Sequence, residues 1–156
     1  MTKLSSKKVS ESALESTHLV MPEHTNAMGN IFGGTIMSWV DVIASVVAFR
    51  HCRSLVVTAS IEKMSFMHPV KLGELVILKA SINFVSTRSM EVGVKVVAEN
   101  PITGKNKHTS SAYLTFVSLD ENNKAQEVPG LIPDTHDEKR RFTEAKARYK
   151  ERKAKK

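Results

Sequence analysis

Asp41 is the only charged residue between Gly33 and Phe49, and it stands among Trp39, Val40, Val42 and Ile43. An ionised carboxylate in apolar surroundings is costly unless it is solvated or hydrogen-bonded, so Asp41 must face a pocket, a partner or water. Two roles meet that requirement. One is an acid on an exposed or interface side of a helix, held by a serine or a backbone amide; the other is a general base beside a cleft. The doublet Gly33-Gly34 lies about two helical turns earlier, where "FGGT" marks a passage from loop into helix. The first amides of a helix lack intrahelical acceptors and sit at the positive end of its dipole. Without β-carbons, the two glycines let a ligand oxygen approach those amides closely. Such a doublet is also a common entry into a tightly packed helix. With Asn26 and Asn30 just upstream, the stretch could bring an oxyanion donor and a base into one small volume, within a chain or across a dimer.

These groups need a helix to carry them and a sheet to hold it. From Gly33 onward, Ile36, Met37, Val40, Ile43, Ala44, Val47 and Ala48 recur at three- and four-residue steps, the apolar face of one long helix. Thr35, Ser38, Asp41 and Ser45 fall within about a third of the circumference opposite that face. The helix should end near "RHCRS", where Arg50, His51 and Arg53 suit the negative end of its dipole. Before it, "SALESTHLVMP" reads as a strand stopped by Pro22, which has no amide to offer a ladder. Four segments between Leu55 and Leu119 alternate with a period of two. "SLVVTASIEKMSFMHPV" is the first. "ELVILKASINFV" places Val76, Leu78, Ala80, Ile82 and Phe84 on one face, "SMEVGVKVVAE" does so with Met90, Val92, Val94, Val96 and Ala98, and "HTSSAYLTFVSLD" is the last. Their short polar connections predict antiparallel hairpins.

Strand, helix and four strands in a row specify an α+β domain in which a curved antiparallel sheet wraps one long central helix. The reading divides the chain into a polar arm over residues 1–12, this domain over 13–133, and a basic C-terminal helix over 134–156. Phe142, Ala145 and Tyr149 share one side of that last helix.

Composition narrows the classes of function. With 156 residues, 41% hydrophobic and 25% charged, the chain suits one domain with a real core. Cys52 is the single cysteine and closes no internal disulfide, which fits a reduced cytoplasm. The opening "MTKLSSKKVSESALE" has no apolar run or cleavage site behind its basic residues, which argues against a secretory signal. A membrane span is not expected, because an acid at the centre of the longest apolar run costs roughly 2.5–3.5 kcal/mol on the insertion scale. The formal net charge of +7 gathers beyond Asp134, so nucleic acid is not an expected partner of the core. The basic tail reads as a solvated docked helix, as an arm for nucleic acid, or as a source of cations for a phosphorylated ligand. The histidines have no metal-ligand spacing, and neither a metal site nor a Cys/His nucleophile pair is expected. Trp39 and Phe66 read as packing, as do Met37, Met64, Met67 and Met90.

"NAMGNIFGGTIMSWVD", followed in order by "RHC", "VTAS", "TRSMEV", "YLTFVSLD" and "VPGLIPDTHDEKRRF", resembles the hotdog-fold acyl-CoA thioesterases over roughly Leu14 to Lys150. The branch is that of the bacterial single-domain acyl-CoA hydrolases and the two-domain brain acyl-CoA hydrolase. The resemblance implies a hotdog fold, two units joined into one continuous sheet, and often a trimer of such dimers, a homohexamer. It implies acyl-CoA as substrate, a free acid and CoA as products, and no metal or cofactor beyond the CoA of the substrate. Catalytic roles fall on Asn26 and Asp41, contributed by different subunits, with the Gly34 amide on the thioester oxygen beside Gly33. Some members carry histidine where Phe32 stands, so no imidazole is implied at that position.

For the CoA moiety, cations and amides near the surface are required. Arg88 and Ser89 of "STRSM" are candidates at a hairpin turn, Thr58 and Ser60 of "VTAS" are candidates along the pantetheine arm, and Lys139, Arg140 and Arg141 are candidate phosphate partners. Two other functions stay open at this level. One is a non-enzymatic acyl-CoA sensor whose tail touches DNA, although no DNA-reading motif is present. The other is a hotdog hydratase or dehydratase, which would need a catalytic histidine that the helix lacks before His51.

Overall fold

The computed structural model describes residues 4–155, so the first three residues of the polar arm and Lys156 lie outside it. In chain order the elements are β1 (Lys7–Lys8), β2 (Leu14–Leu19), α1 (Gly33–Cys52), β3 (Leu55–Phe66), β4 (Leu75–Val85), β5 (Ser89–Glu99), β6 (Asn106–Leu119), β7 (Leu131–Ile132) and α2 (His136–Ala154). Single 3-10 turns cover Val9–Glu11 and Pro22–His24. The main sheet has the order β2-β4-β5-β6-β3, antiparallel throughout. Its fold is the expected one.

α1 touches all five strands of this sheet. Its buried side carries Ile36, Val40, Ile43, Ala44, Val47 and Ala48, which meet Val76, Leu78, Met90, Val92, Val94, Leu114 and Phe116 in one cluster. Burial of this size, at about 25 cal/mol per Å² of apolar surface, is what holds a helix of such length against a sheet. By length and composition alone α1 would also cross a membrane; the sheet covers its apolar stripe instead. The helix ends as Arg53 takes a left-handed conformation (φ 53°) and returns its amide to the Phe49 carbonyl.

The alternation expected of the strands breaks at several points. In β4 the pairing with β5 shifts between Ile82 and Phe84. That bulge turns Phe84 away from the core and lets Val85 pack on it instead. Phe84 then meets Phe142 and Tyr149 of α2 on the outer face, at centroid distances of 5.2 and 5.3 Å. In β3 the pairing with β6 shifts between Thr58 and Ser60, and again between Glu62 and Ser65.

The basic helix is docked on this outer face. Thr135 and Glu138 form a capping box at its start. Arg148 donates through Nε and Nη2 to the two carboxylate oxygens of Glu91 at 3.0 and 2.8 Å, and its guanidinium lies 3.7 Å over the Tyr113 ring. Glu91 is buried and also accepts from Asn83 Nδ2 at 3.0 Å. Hydrogen bonds to Glu91 push the Arg148 pKa up, against the opposing effect of its burial. The arm is tied down as well. β1 pairs in parallel with β7, Val9 and Ser12 are buried, and Lys7 Nζ donates to the His51 carbonyl at 2.7 Å. His51 itself is buried and donates from Nε2 to the Pro129 carbonyl at 2.8 Å.

Two stability measurements check these contacts. Arg148→Ala strands the buried Glu91 charge and should cost about 3–5 kcal/mol in denaturant unfolding, whereas Arg140→Ala, from an exposed pair, should cost less than about 1 kcal/mol. Burial holds the His51 pKa below its ordinary 6.5, with the Pro129 hydrogen bond opposing. The unfolded chain therefore takes a proton that the folded one refuses as pH falls through 6.5. Stability should drop from there down to the folded-state pKa, and the drop should be shallower in His51→Gln; equal slopes would exclude His51 as a contributor.

Candidate active site

Asp41 stands on the third turn of α1, half-buried, with its side chain directed at β3. The Thr58 hydroxyl donates to Asp41 Oδ1 at 2.8 Å. Neither a serine nor a backbone amide holds the carboxylate: the Ser45 hydroxyl donates at 2.7 Å to the Asp41 main-chain carbonyl. Sequence reasoning had no signal for the Thr58 contact, because helix and strand are brought together only by the curl of the sheet. Thr58 reaches inward because it pairs with Phe116, a core residue.

Ser60 does not share that surface. The bulge at Ala59 pairs Ser60 with Thr115, which is itself opposite Glu91 on β5. Side chains of paired residues lie on one face, so Ser60 points to the side where α2 docks. Within one chain, Thr58 and Ser60 face opposite ways.

The loop before α1 is built around Asn26. Its Oδ1 accepts the Met28 and Asn30 amides at 2.9 and 3.2 Å, and its backbone amide donates to the Asn30 carbonyl at 2.9 Å. Gly29 adopts φ 78° in this turn, a region that favours glycine. The carboxamide oxygen is thus committed to the loop, which leaves the Nδ2 group of Asn26 without a partner among the described residues. Asn30 bridges to Lys71, and Ile31 donates to the Val70 carbonyl at 2.7 Å.

α1 opens at Gly33 with Phe32 at its cap, and no side chain caps it. A β-carbon on Gly33 would lie 3.3 Å from the Phe66 ring, whereas one on Gly34 would meet nothing within 4 Å. Gly33 is a packing position; the space over Gly34 is open. The axial rise from Gly34 to Asp41, seven residues along one helix, is about 10 Å. A reacting carbon about 3 Å from both groups does not fit that separation inside a single chain.

The candidate CoA contacts divide between two places. Arg88 and Ser89 lie in the β4–β5 turn, where the Ser86 and Ser89 hydroxyls bond each other at 2.6 Å. Met90, Phe116 and Thr58 form one cross-strand row, so this turn stands at the Thr58 end of the sheet. Arg88 is exposed and, among the described residues, makes no salt bridge. Arg140 and Arg141 instead line a cleft of about 720 Å³ between α2 and the outer face, with Lys79, Lys95 and Asn83. Arg140 is held there by Glu144 at 3.3 Å and Asp137 at 3.9 Å. In one chain that cleft is on the far side of the sheet from Asp41.

Cys52 has no nucleophilic character. Burial pushes its pKa up to about 11, and its thiol donates to Met90 Sδ at 3.3 Å. Among the described residues, no three His, Cys, Asp or Glu side chains are grouped to hold a metal ion.

Comparison with known proteins agrees with this architecture. The family model of the thioesterase superfamily matches residues 28–105. The acyl-CoA thioester hydrolase YkhA of Bacillus subtilis is 41% identical, over 94% of this chain and 85% of that protein. The mouse cytosolic acyl coenzyme A thioester hydrolase is 38% identical over 94% of this chain, which spans only 39% of that longer protein. An apo-hexameric acyl-CoA thioesterase superposes with a TM-score of 0.93, at 38% identity and 97% coverage of each chain. The Staphylococcus aureus acyl-CoA hydrolase, solved with butyryl coenzyme A, coenzyme A and coenzyme A disulfide, superposes with a TM-score of 0.90 at 36% identity, covering 96% of this chain and 91% of that one. It has also been solved with alanine in place of an aspartate, an asparagine and a threonine. By fold and by sequence, then, this chain is a member of the thioesterase superfamily.

Proposed function

We propose that the chain hydrolyses acyl-CoA to a free carboxylic acid and CoA, at a site assembled from two subunits. The observation that carries this reading is the Thr58–Asp41 hydrogen bond at the open side of α1. It fixes the direction of a carboxylate that a second subunit's helix start, with free amides suited to an oxyanion, could then meet. The three substituted positions of the Staphylococcus aureus enzyme support it, since they have the spacing of Asn26, Asp41 and Thr58.

In this mechanism the thioester oxygen rests on the Gly34 amide of one subunit. A water held by Asn26 Nδ2 gives a proton to the Asp41 carboxylate of the other, and its oxygen bonds to the thioester carbon. The Gly34 amide takes the charge that develops on the carbonyl oxygen. Collapse breaks the carbon–sulfur bond, CoA leaves as thiolate, and the proton on Asp41 returns to it. Thr58 is a positioning residue: its hydroxyl holds one carboxylate oxygen and leaves the other for water. Arg88 at the hairpin turn is the favoured phosphate partner. Ser60 and Arg140, facing outward, meet a ligand only from a neighbouring subunit.

The need for a second chain has its own support. Met37, Val42, Val46 and Phe49 on α1 and Leu55, Val57 and Ile61 on β3 are exposed, with Val42 62% accessible. β3 is also a sheet edge. An apolar helix face beside an unpaired edge fits a twofold copy of itself, with the two edges joined. Three such dimers would give the hexameric form described for a relative. A single cysteine that closes no internal disulfide suits a reduced cytoplasm, and an acyl-CoA substrate suits lipid metabolism.

Purified Asp41→Ala should keep its fold and assembly while thiol release from acyl-CoA falls by at least about 10²-fold; unchanged turnover would refute the assignment. Asn26→Ala should also be slow, and mixed dimers of the two variants should regain activity, since half of the sites in each would be intact. Gly34→Ala should unfold at the wild-type denaturant concentration yet lose activity, because the added methyl meets only substrate. Thr58→Ala should lower kcat and Thr58→Ser should restore it.

A further inference from the structure

We infer that His24 is a positioning residue whose unprotonated ring latches the loop carrying Asn26 to the start of α1, so that protonation releases the latch. Its effect on catalysis rests on the hydrolase reading; the latch itself rests on geometry. His24 closes the turn Pro22–His24, where its Nδ1 accepts the Met21 amide at 2.9 Å. Its own amide donates to the Met21 carbonyl at 2.9 Å, and its carbonyl accepts the Phe32 amide at 3.0 Å. Phe32 is the residue from which α1 starts. One residue therefore ties the end of the β2 segment to the cap of the helix, two positions before Asn26.

The ring is also braced from the helix. His24 packs edge-on against Trp39, with centroids 5.1 Å apart at 79°. Trp39 in turn stacks flat on His18 of β2, at 4.3 Å and 10°. Trp39 thus joins α1, β2 and the loop, a larger role than core filling.

An Nδ1 that accepts an amide carries no proton, so the neutral ring keeps its hydrogen on Nε2. A second proton would set one N–H donor against another and cancel the bond. From β2 the titratable group beside this ring is His18, whose Nε2 is 3.3 Å from the Ser16 hydroxyl; α1 brings Trp39, β4 places Val76 opposite His18, and Glu23 precedes His24 in the turn. Burial, then the charge of His24, holds His18 below its ordinary 6.5.

Glutamine at this position keeps a side-chain acceptor for the Met21 amide without titrating near neutrality. Full-length wild type, His24→Gln and His24→Ala should be compared with butyryl-CoA as the probe. Wild-type kcat/KM should fall on acidification, mainly through kcat, while His24→Gln stays within about twofold at pH 8 and lacks that acid limb. His24→Ala should be about tenfold slower at every pH, with glutamine restoring the rate. Trp39 is the only tryptophan, and an imidazolium beside an indole quenches it. Its emission should drop in one step on acidification, and His24→Gln should remove the step. Matching acid limbs in wild type and His24→Gln, or a Trp39 titration that the substitution does not change, would overturn the latch. A wild type that releases no thiol at any pH would overturn the hydrolase reading alone. The Trp39 titration, with pH-corrected amide exchange across residues 25–34, would then still decide the latch: faster exchange on acidification in wild type only supports it, and equal exchange in both proteins refutes it.

Discussion

One hydroxyl on a sheet edge lets a carboxylate stand on a helix otherwise built to be buried. Without Thr58, Asp41 would have only solvent as partner and no fixed direction. With Thr58, a single charge–dipole contact across α1 and β3 sets the carboxylate's direction. Much of the remaining architecture serves that contact. The core cluster beneath α1 fixes the height of the helix over the sheet, and the bulge at Ala59 fixes which residues of β3 look inward.

The opposite face of the sheet is organised by charge in a different way. Glu91 is buried and would be intolerable alone, but Arg148 meets it with two parallel hydrogen bonds and Asn83 adds a third. The basic C-terminal segment therefore spends part of its charge inside the protein. Phe84, exchanged to this face by the bulge in β4, supplies the apolar seat for Phe142 and Tyr149. The tail is a structural layer, which accounts for why a chain with net charge +7 has a core domain close to neutral.

The order of α1 and the five strands of the main sheet, the span of α1, and the buried face of β5 and of most of β4 were legible in the sequence because period and polarity express them directly. So was the docking side of α2, from the spacing of Phe142, Ala145 and Tyr149. Bulges were not legible. A single added residue at Ala59 or near Asn83 leaves the alternation of residue types almost unchanged while reversing which face the following positions occupy. That is why Phe84 was expected on the wrong side, and why Thr58 and Ser60, candidates for one arm of the ligand, face opposite ways in one chain. Asp41 stood out as an acid on an apolar helix, and the Gly33-Gly34 entry could be placed; the partner of Asp41 could not, since it comes from a strand seventeen positions later that only tertiary packing brings near. The roles of His18 and His24 were hidden for the same reason: lacking metal spacing, they gave no local sign of the indole between them.

The free edge of β3 bears on how far association can proceed. A flat strand of twelve residues with every amide open would be a template for endless addition of further strands. Here the ladder is interrupted at Ala59 and again before Ser65, and Lys63 adopts φ 55° in the second break. Such kinks coil the edge, so a foreign strand finds no long straight register to copy. In the proposed dimer, an identical edge meeting it about a twofold axis would carry matching kinks, and growth along that direction would end at two chains instead of proceeding to a fibre.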